Sequence, residues 1–177
     1  FTGRAVDFLN RQSAAQPFFL HMCYTQPHAN NEMGRDTGNG LEVPSDAPYT
    51  DRNWPQVEKN FAAMITRMDR DVGRLLDTLK AKGLDGNTLV IFSSDNGPHR
   101  EGGHGPSFFE SSGPLRGIKR DLTEGGIRVP TIMRWPGVIR AGSASAFPWA
   151  FWDFLPTAAE LAGVRAPAGI DGVSITP

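Results

Sequence analysis

The sequence predicts an α/β fold, in which helices pack on a sheet, and two observations support this prediction. Apolar residues recur at helical spacing over residues 55–82, and residues 85–92 are predicted to form a turn that leads into a buried strand. A long polar loop then leaves the strand, an order typical of α/β proteins. Another long polar loop, residues 25–50, also follows a predicted strand. Because ligands bind outside the carboxyl ends of strands in open α/β sheets, both loops are candidate site segments.

The composition excludes several classes of protein. Of the 177 residues, 39% are hydrophobic and 21% are charged, as in an ordinary globular domain with a sizeable core. The net charge of −1 gives no electrostatic reason to expect nucleic acid or an anionic membrane as a partner. No apolar run approaches the roughly 20 residues of a transmembrane helix. A chain that starts at Phe1 without Met and stops at "DGVSITP" is expected to be a piece of a longer protein.

Two elements are predicted before the first long loop. Residues 2–15 carry apolar side chains at helical spacing, which predicts a short helix. Residues 17–24, "PFFLHMCY", form a compact apolar run opened by a proline, which predicts a buried strand. Cys23, the single cysteine, lies in this run, so we expect a small buried hydrophobic side chain there rather than a nucleophile.

The clearest element is the amphipathic helix at 55–82. Pro55 suits its first turn, and Gly83 suits its end. Further along, "VPTIMRWPG" at 129–137 predicts another short strand, which a Pro-Gly pair ends. Residues 151–163 predict a strand end followed by a helix that a glycine closes.

An acid and an amide, Asp95 and Asn96, stand side by side where the strand at 85–92 ends. Carboxylate and amide oxygens are the ligands that Ca²⁺ and Mg²⁺ prefer, so the pair is a candidate metal site. The same two residue types also form Asx turns and helix caps by bonding nearby backbone groups. The local sequence leaves both interpretations open, and two ligands are too few for a complete site.

The segment 113–130, "GPLRGIKRDLTEGGIRVP", alternates glycines with charges and has neither helical nor strand periodicity. Such a loop can direct Lys119, Arg116 or Arg120 at an anionic group. The alternative interpretation is a solvated basic loop.

Three histidines lie in the long polar loops. His28 comes soon after a predicted strand, where it can donate to an anion or to a leaving group. Its alternative role is that of a loop histidine bonded to the backbone. His99 and His104 follow the Asp-Asn pair and have weaker claims to a functional role.

Taken together, these segments resemble the formylglycine-dependent, arylsulfatase-like family of sulfatases in the alkaline-phosphatase-like superfamily. The most specific part is Ser-Asp-Asn-Gly followed by a Lys-Arg-Asp-Leu…Glu-Gly-Gly-Ile-Arg-Val-Pro segment. The resemblance implies part of a sandwich with a mostly parallel (mixed) sheet flanked by helices. The resembling stretches, which match in order and spacing along almost the whole chain, are 17–32, 88–99, 113–137, 151–163 and, more weakly, 170–177.

The resemblance also implies roles for individual residues. In such enzymes the Asp-Asn pair binds a divalent cation, usually Ca²⁺ with Mg²⁺ also possible, which here would be bound by Asp95 and Asn96. Lys119 and His28 would contact the sulfate, and the histidine also the leaving oxygen, where developing negative charge needs donors. The implied substrate-binding residues, which would meet the sugar or aryl part, are His99, His104 and Arg116.

The family's nucleophile is a formylglycine made from the first residue of a Cys/Ser-x-Pro-x-Arg motif, and no such motif occurs in this sequence. Residues 1–177 would then be the middle and later part of a sulfatase catalytic domain, without its N-terminal strands, which would carry the formylglycine, and without its small C-terminal subdomain. We expect the isolated chain to be inactive and, because a truncated sheet exposes unpaired edges, to self-associate. The resemblance favours an exported protein, periplasmic or secreted.

The function predicted for the full-length parent is cleavage of sulfate esters, with a sulfated small molecule or a sulfated glycan as the substrate. Two alternatives remain. One is a phosphodiesterase or phosphonate hydrolase of the same superfamily, since metal and oxyanion chemistry alone does not separate sulfur from phosphorus. The other is a non-catalytic α/β fragment.

Overall fold

A computed structural model describes residues 1–176, which divide into two compact units, the first spanning Phe1–Ala141 and the second beginning at Gly142. No described helix is long and apolar enough to cross a membrane. The helices are α1 (Thr2–Asn10), α2 (Asn31–Thr37), α3 (Gln56–Ala81), α4 (Glu124–Ile127) and α5 (Phe154–Leu161). The strands are β1 (Val90–Ser93) and β2 (Thr131–Arg134), and short 3-10 turns span Asp85–Asn87 and Phe151–Asp153.

The longest element is α3, which confirms the amphipathic helix predicted at 55–82. Pro55 lies directly before its first residue in a non-helical conformation, and Gly83 follows its end with a left-handed φ of 67°. At 1.5 Å per residue its 26 residues extend about 39 Å. The buried side of the helix includes Phe61 near its start and Leu79 near its end.

One hydrophobic core lies where α1 packs against α3. Leu9 of α1, Leu79 of α3 and Leu84 form a buried cluster. Lys82 Nζ donates to the carbonyl oxygen of Asn10 at 2.9 Å, which satisfies an acceptor at the end of α1. The two helices are therefore held by apolar burial, with a hydrogen bond that joins their C-terminal ends.

The two strands form an antiparallel pair in which Val90 faces Arg134 and Ser93 faces Thr131. Arg134 makes a two-armed ion pair with Asp85, with one arm at 2.9 Å, and this ties the turn before β1 to the end of β2. Both strands lie where the sequence predicts them, although β1 is half-buried rather than buried, and the α/β class is confirmed. The resemblance implies a mostly parallel, mixed sheet. In residues 1–176 the strand pair is antiparallel, and no parallel pair occurs.

Residues 17–24 do not form a strand in the part of the chain that is described, so the prediction of a buried strand is wrong for this structure. Side chains alternate in burial: Phe18 and Leu20 pack against the core, whereas Phe19 is 69% exposed. Cys23 lies on the exposed side as well, so the expectation of a buried thiol is also wrong. A run of apolar residues is compatible with an extended segment buried on one face or on both. Here only the face with Phe18 and Leu20 packs against the core.

The first long loop, residues 25–50, holds the short helix α2, which was not predicted. Asn30 caps this helix, since its side-chain oxygen accepts from the N–H of Met33 at 3.1 Å. Gly38 ends it with a left-handed φ of 75°. The helix predicted over 2–15 is present but shorter, because α1 ends well before the polar end of that segment.

A second hydrophobic core joins the loops to α3. Ala29, Leu41 and Phe61 form its buried cluster, against which Val57 and Phe109 pack. Ala29 and Leu41 belong to the first long loop, Phe109 belongs to the second, and the other two lie on α3. Both candidate site loops are thus anchored on the same helix.

The second unit is organised by Asp153, which lies at the start of α5. Its carboxylate accepts from the N–H groups of Ala150 at 2.8 Å and Val173 at 2.9 Å. Thr157 Oγ1 donates to the Asp153 carbonyl oxygen at 2.6 Å, within the first turn of α5. The helix predicted within 151–163 is confirmed, and a 3-10 turn rather than a strand end leads into it.

We expect Leu79→Ala to lower the free energy of unfolding by about 3 kcal/mol, because it removes a buried side chain and leaves a cavity in the first core. Urea denaturation of the purified protein measures the change. Leu122→Ala is the matched control, since Leu122 is 92% exposed and its loss should change stability by less than about 0.5 kcal/mol. Equal effects of the two substitutions would contradict the position of this core.

Candidate active site

The site is built within the long connection between β1 and β2, residues 94–130, where the chain that leaves β1 meets the chain that approaches β2. The N–H of Gly97 donates to the carbonyl oxygen of Gly126 at 2.9 Å, and the N–H of Lys119 donates to that of Pro98 at 2.8 Å. The second bond fixes the backbone of Lys119 beside the chain that leaves β1. Because a lysine side chain is long and flexible, the position of its backbone decides which groups the ammonium can reach.

Glycines allow these backbones to approach each other so closely. A Cβ atom on Gly97 would overlap the carbonyl oxygen of Gly125, and one on Gly125 would overlap that of Gly117. A Cβ atom on Gly126 would overlap the carbonyl oxygen of Asp121. Only residues without a side chain fit at these positions. The Glu-Gly-Gly sequence is the part of the sequence that indicates this packing, but the close backbone contact was not predicted from it.

The structure brings Lys119 and His28 together, although they are 91 positions apart in the sequence. Lys119 Nζ lies 3.3 Å from His28 Nε2. His28 Nδ1 lies 2.8 Å from the carbonyl oxygen of Ala29 and donates its proton there, which leaves Nε2 facing the lysine. Both side chains reach the surface. The two residues that the resemblance assigns to sulfate binding therefore lie together at the surface. Their role stays a prediction.

A buried carboxylate, Glu101, completes this cluster and was not singled out from the sequence. Its Oε2 lies 3.3 Å from Lys119 Nζ and 3.6 Å from His28 Nε2, and its Oε1 lies 2.8 Å from Arg120 Nη2. Burial alone would raise the pKa of Glu101, but the adjacent Lys119 and Arg120 outweigh it and hold that pKa below its usual range. The carboxylate is therefore ionised at neutral pH. Its only sequence signal is an acid close to a histidine in a glycine-rich loop.

His99 is buried and hydrogen-bonded through both ring nitrogens. Nδ1 accepts from the N–H of Glu101 at 3.2 Å, so Nε2 carries the proton that is donated to the carbonyl oxygen of Pro27 at 3.0 Å. Burial lowers the pKa of His99, which favours this neutral form. His99 thus joins the segment that carries His28 to the segment that carries Glu101. Its ring is not presented to a substrate in this arrangement, and its predicted substrate contact is untested.

His104 is held inside the fold. Its Nδ1 lies 2.6 Å from Glu58 Oε2, and its ring stacks on Phe61 with 3.8 Å between the ring centroids. The other oxygen of Glu58 accepts from the N–H of Gly105 at 3.2 Å. The pair therefore anchors the second long loop on α3. The side chain of His104 is fully buried, so the predicted contact with a substrate is not available in this arrangement.

Arg116 lies on the exposed part of the loop before β2. Its backbone carbonyl oxygen accepts from Thr123 Oγ1 at 2.7 Å and from the N–H of Gly125 at 2.8 Å, which fixes the turn around Lys119. The side chain lines a shallow groove together with Leu122 and other residues of this loop. Its predicted contact with a substrate stays a prediction.

Asp95 and Asn96 lie on the turn directly after β1, as predicted. Asp95 is exposed, and no hydrogen bond or ion pair reaches its carboxylate from the described residues. Asn96 Nδ2 donates to the carbonyl oxygen of Gly97 at 2.8 Å, which leaves its amide oxygen available as a ligand. Within residues 1–176 no cluster of three or more His, Cys, Asp and Glu side chains could hold a metal ion. The pair fits a hard cation in donor type but supplies only part of a site.

Comparison with solved structures defines the class of fold. The chain matches Ps i-CgsB in complex with k-i-k-neocarrahexaose with a TM-score of 0.81 and 31% identity, covering 99% of this chain and 36% of the other. It matches BT4656 in complex with its substrate D-glucosamine-2-N,6-O-disulfate with a TM-score of 0.55 and 32% identity, covering 69% and 22%. The fold is therefore that of the alkaline-phosphatase-like α/β proteins.

Sequence comparison narrows the class to one family. The family model described as "Sulfatase" matches residues 1–164. Steryl-sulfatase of Homo sapiens is 41% identical over 180 residues, which cover 99% of this chain and 28% of the relative. The chain belongs to the sulfatase family, which confirms the resemblance drawn from its motifs. It spans less than a third of the length of the first curated relatives that it matches.

Gly97→Ala is expected to lower the free energy of unfolding by about 2 kcal/mol or more, because the new methyl group would force apart the start and the end of the connection between β1 and β2. Gly73→Ala is the matched control. Gly73 lies inside α3, where a Cβ atom would meet nothing within 4 Å, so alanine there should raise stability by about 0.5–1 kcal/mol. Urea denaturation measures both changes, and a neutral Gly97→Ala would contradict the close packing described here.

Proposed function

We propose that the full-length protein hydrolyses sulfate esters and that Lys119 and His28 form part of its sulfate-binding site. The observation that carries this proposal is the convergence of the two side chains, with 3.3 Å between Nζ and Nε2, at the end of β1 in a chain of the sulfatase family. An ammonium and an imidazole that both reach the surface, and that both donate when Nε2 is protonated, suit a tetrahedral anion.

The two residues would have distinct roles in the reaction. Lys119 would donate to a sulfonyl oxygen, where it offsets the negative charge that spreads over the group in the transition state. His28 holds one proton on Nδ1 against the Ala29 carbonyl oxygen, so only Nε2 can exchange a proton with the substrate. When protonated there, it would donate to the ester oxygen that leaves as the alcohol. The nucleophile we propose, a formylglycine, supplies the attack on sulfur and would come from outside these 177 residues.

Asp95 and Asn96 would hold the divalent cation of the site, for which we propose Ca²⁺, with Mg²⁺ as the alternative. The fit rests on their donor chemistry: one free carboxylate and one amide oxygen follow β1 directly, and both are hard oxygen ligands. A cation there would act as a Lewis acid towards an oxygen of the bound anion. Since calcium takes about six to eight oxygens, the remaining ligands would be water, substrate or residues outside this chain.

The proposed substrate class is a sulfated small molecule or a sulfated glycan. Two kinds of relative support this breadth. One is named for a sterol sulfate activity, and another was solved with a disulfated glucosamine described as its substrate. The anion site uses charge and hydrogen-bond donors that are indifferent to the rest of the molecule, so it does not select between these substrates.

Lys119→Ala in the full-length protein is expected to lower kcat/KM for 4-nitrophenyl sulfate by about 10²–10³-fold, because it removes one positioned donor from the transition state. Lys80→Ala is the matched control, since Lys80 lies exposed on α3, and it should leave the rate unchanged. A full-length protein that is inert towards aryl sulfates and sulfated sugars would contradict the proposal. Preferential turnover of 4-nitrophenyl phosphate or a phosphodiester would assign the reaction to phosphorus instead.

Removal of divalent cations by a chelator should abolish hydrolysis by the full-length protein, and added Ca²⁺ should restore it. Asp95→Ala is expected to raise the Ca²⁺ concentration for half-maximal recovery by about tenfold or more, because it removes a charged ligand. Asp77→Ala, an exposed acid on α3, removes the same charge elsewhere and serves as the control. Identical calcium titrations of the two variants would count against a metal at Asp95.

A further inference from the structure

Glu101 places a fixed negative charge beside the candidate anion site. Its side chain is only 6% exposed, and its two oxygens divide between neighbours: Oε2 lies beside Lys119 and His28, and Oε1 beside Arg120. The backbone N–H of the same residue is held by His99, so the carboxylate is presented from a fixed position. Anion binding by Lys119 and His28 does not require a buried acid beside them, so the presence of Glu101 needs another explanation.

We propose that Glu101 is the internal counter-charge of the anion site, a positioning residue that holds Lys119 in place while weakening the affinity of the site for free sulfate. The chain without ligand then has no uncompensated ammonium at this half-buried position. An arriving anion shares Lys119 with the carboxylate rather than replacing it, because Glu101 is buried and its backbone N–H is held by His99. The inference rests on the proposed function only for the identity of the anion.

The direction of the effect follows from Coulomb's law. A sulfate dianion that contacts Lys119 and His28 lies close to Glu101, since Oε2 is 3.3 Å and 3.6 Å from their nitrogen atoms. Repulsion between two unit negative charges about 6 Å apart, at an effective dielectric constant of about 20–80, corresponds to about threefold to a hundredfold in affinity. An enzyme gains from this arrangement because a product held too tightly would slow turnover, whereas the transition state draws on further interactions.

The state of Glu101 supports this assignment. The pKa of its carboxyl group is held below its usual range by Lys119 and Arg120 despite burial, so it keeps its charge in the neutral range. The geometry around Glu101 also allows its charge to be removed without changing the shape of the side chain. A glutamine can present its oxygen to Lys119 while its NH₂ group faces Arg120, whose side chain is 74% exposed and can move away into solvent.

The test is the binding of inorganic sulfate to the full-length protein, measured by isothermal titration calorimetry at constant ionic strength. Glu101→Gln should bind sulfate about tenfold more tightly than the unchanged protein. Glu101→Met removes the same charge with a side chain of similar length and serves where the amide variant does not fold. Glu124→Gln is the matched control: it removes one negative charge from an exposed ion pair with Arg128 on the same loop, and should change the affinity by less than about twofold.

The outcomes separate this inference from the proposed function. Tighter sulfate binding by a neutral variant, with no change in the Glu124→Gln control, supports the counter-charge role, because a merely structural defect would not raise affinity. Unchanged or weaker sulfate binding in Glu101→Gln and Glu101→Met would overturn it. If sulfate binds more tightly to these variants while the full-length protein cleaves no sulfate ester, the proposed reaction fails and the counter-charge assignment stands.

Discussion

The close backbone contact between the start and the end of the connection between β1 and β2 is the constraint on which the candidate site depends. The hydrogen bonds from Gly97 to Gly126 and from Lys119 to Pro98 fix one part of this connection against the other. They form only because glycines occupy the positions where a Cβ atom would strike a carbonyl oxygen. Lys119 therefore lies beside His28 although it belongs to no helix or strand, so loop packing sets the relative positions of the two side chains.

The electrostatics of the site follow from that packing. Holding the Lys119 ammonium half-buried, with its Nζ 3.3 Å from His28 Nε2, carries a desolvation cost. Glu101 offsets this cost, and Arg120 and Lys119 in turn offset the burial of Glu101. The cluster is thus mutually dependent, and its members come from three segments that meet only in the folded chain.

How far the sequence predicts this structure depends on how local the deciding interaction is. Helix α3 was predicted almost to the residue, because its apolar periodicity, its proline and its glycine are all local signals. The apolar run at 17–24 was misassigned because local composition does not say whether one face or both are covered. Asp95 and Lys119 could be named from motifs, whereas Glu101 could not, because its significance is its distance from residues elsewhere in the sequence.

The histidines of the two loops illustrate the same limit at the level of function. His104 is buried because Glu58 of α3 lies 46 positions away in the sequence and binds its Nδ1 at 2.6 Å. His99 is neutral and has both nitrogens occupied by the backbone. His28 alone among these loop histidines directs a ring nitrogen towards a lysine at the surface. Since all three occur in similar glycine- and proline-rich contexts, only their partners in the folded chain distinguish the accessible His28 from the two buried histidines.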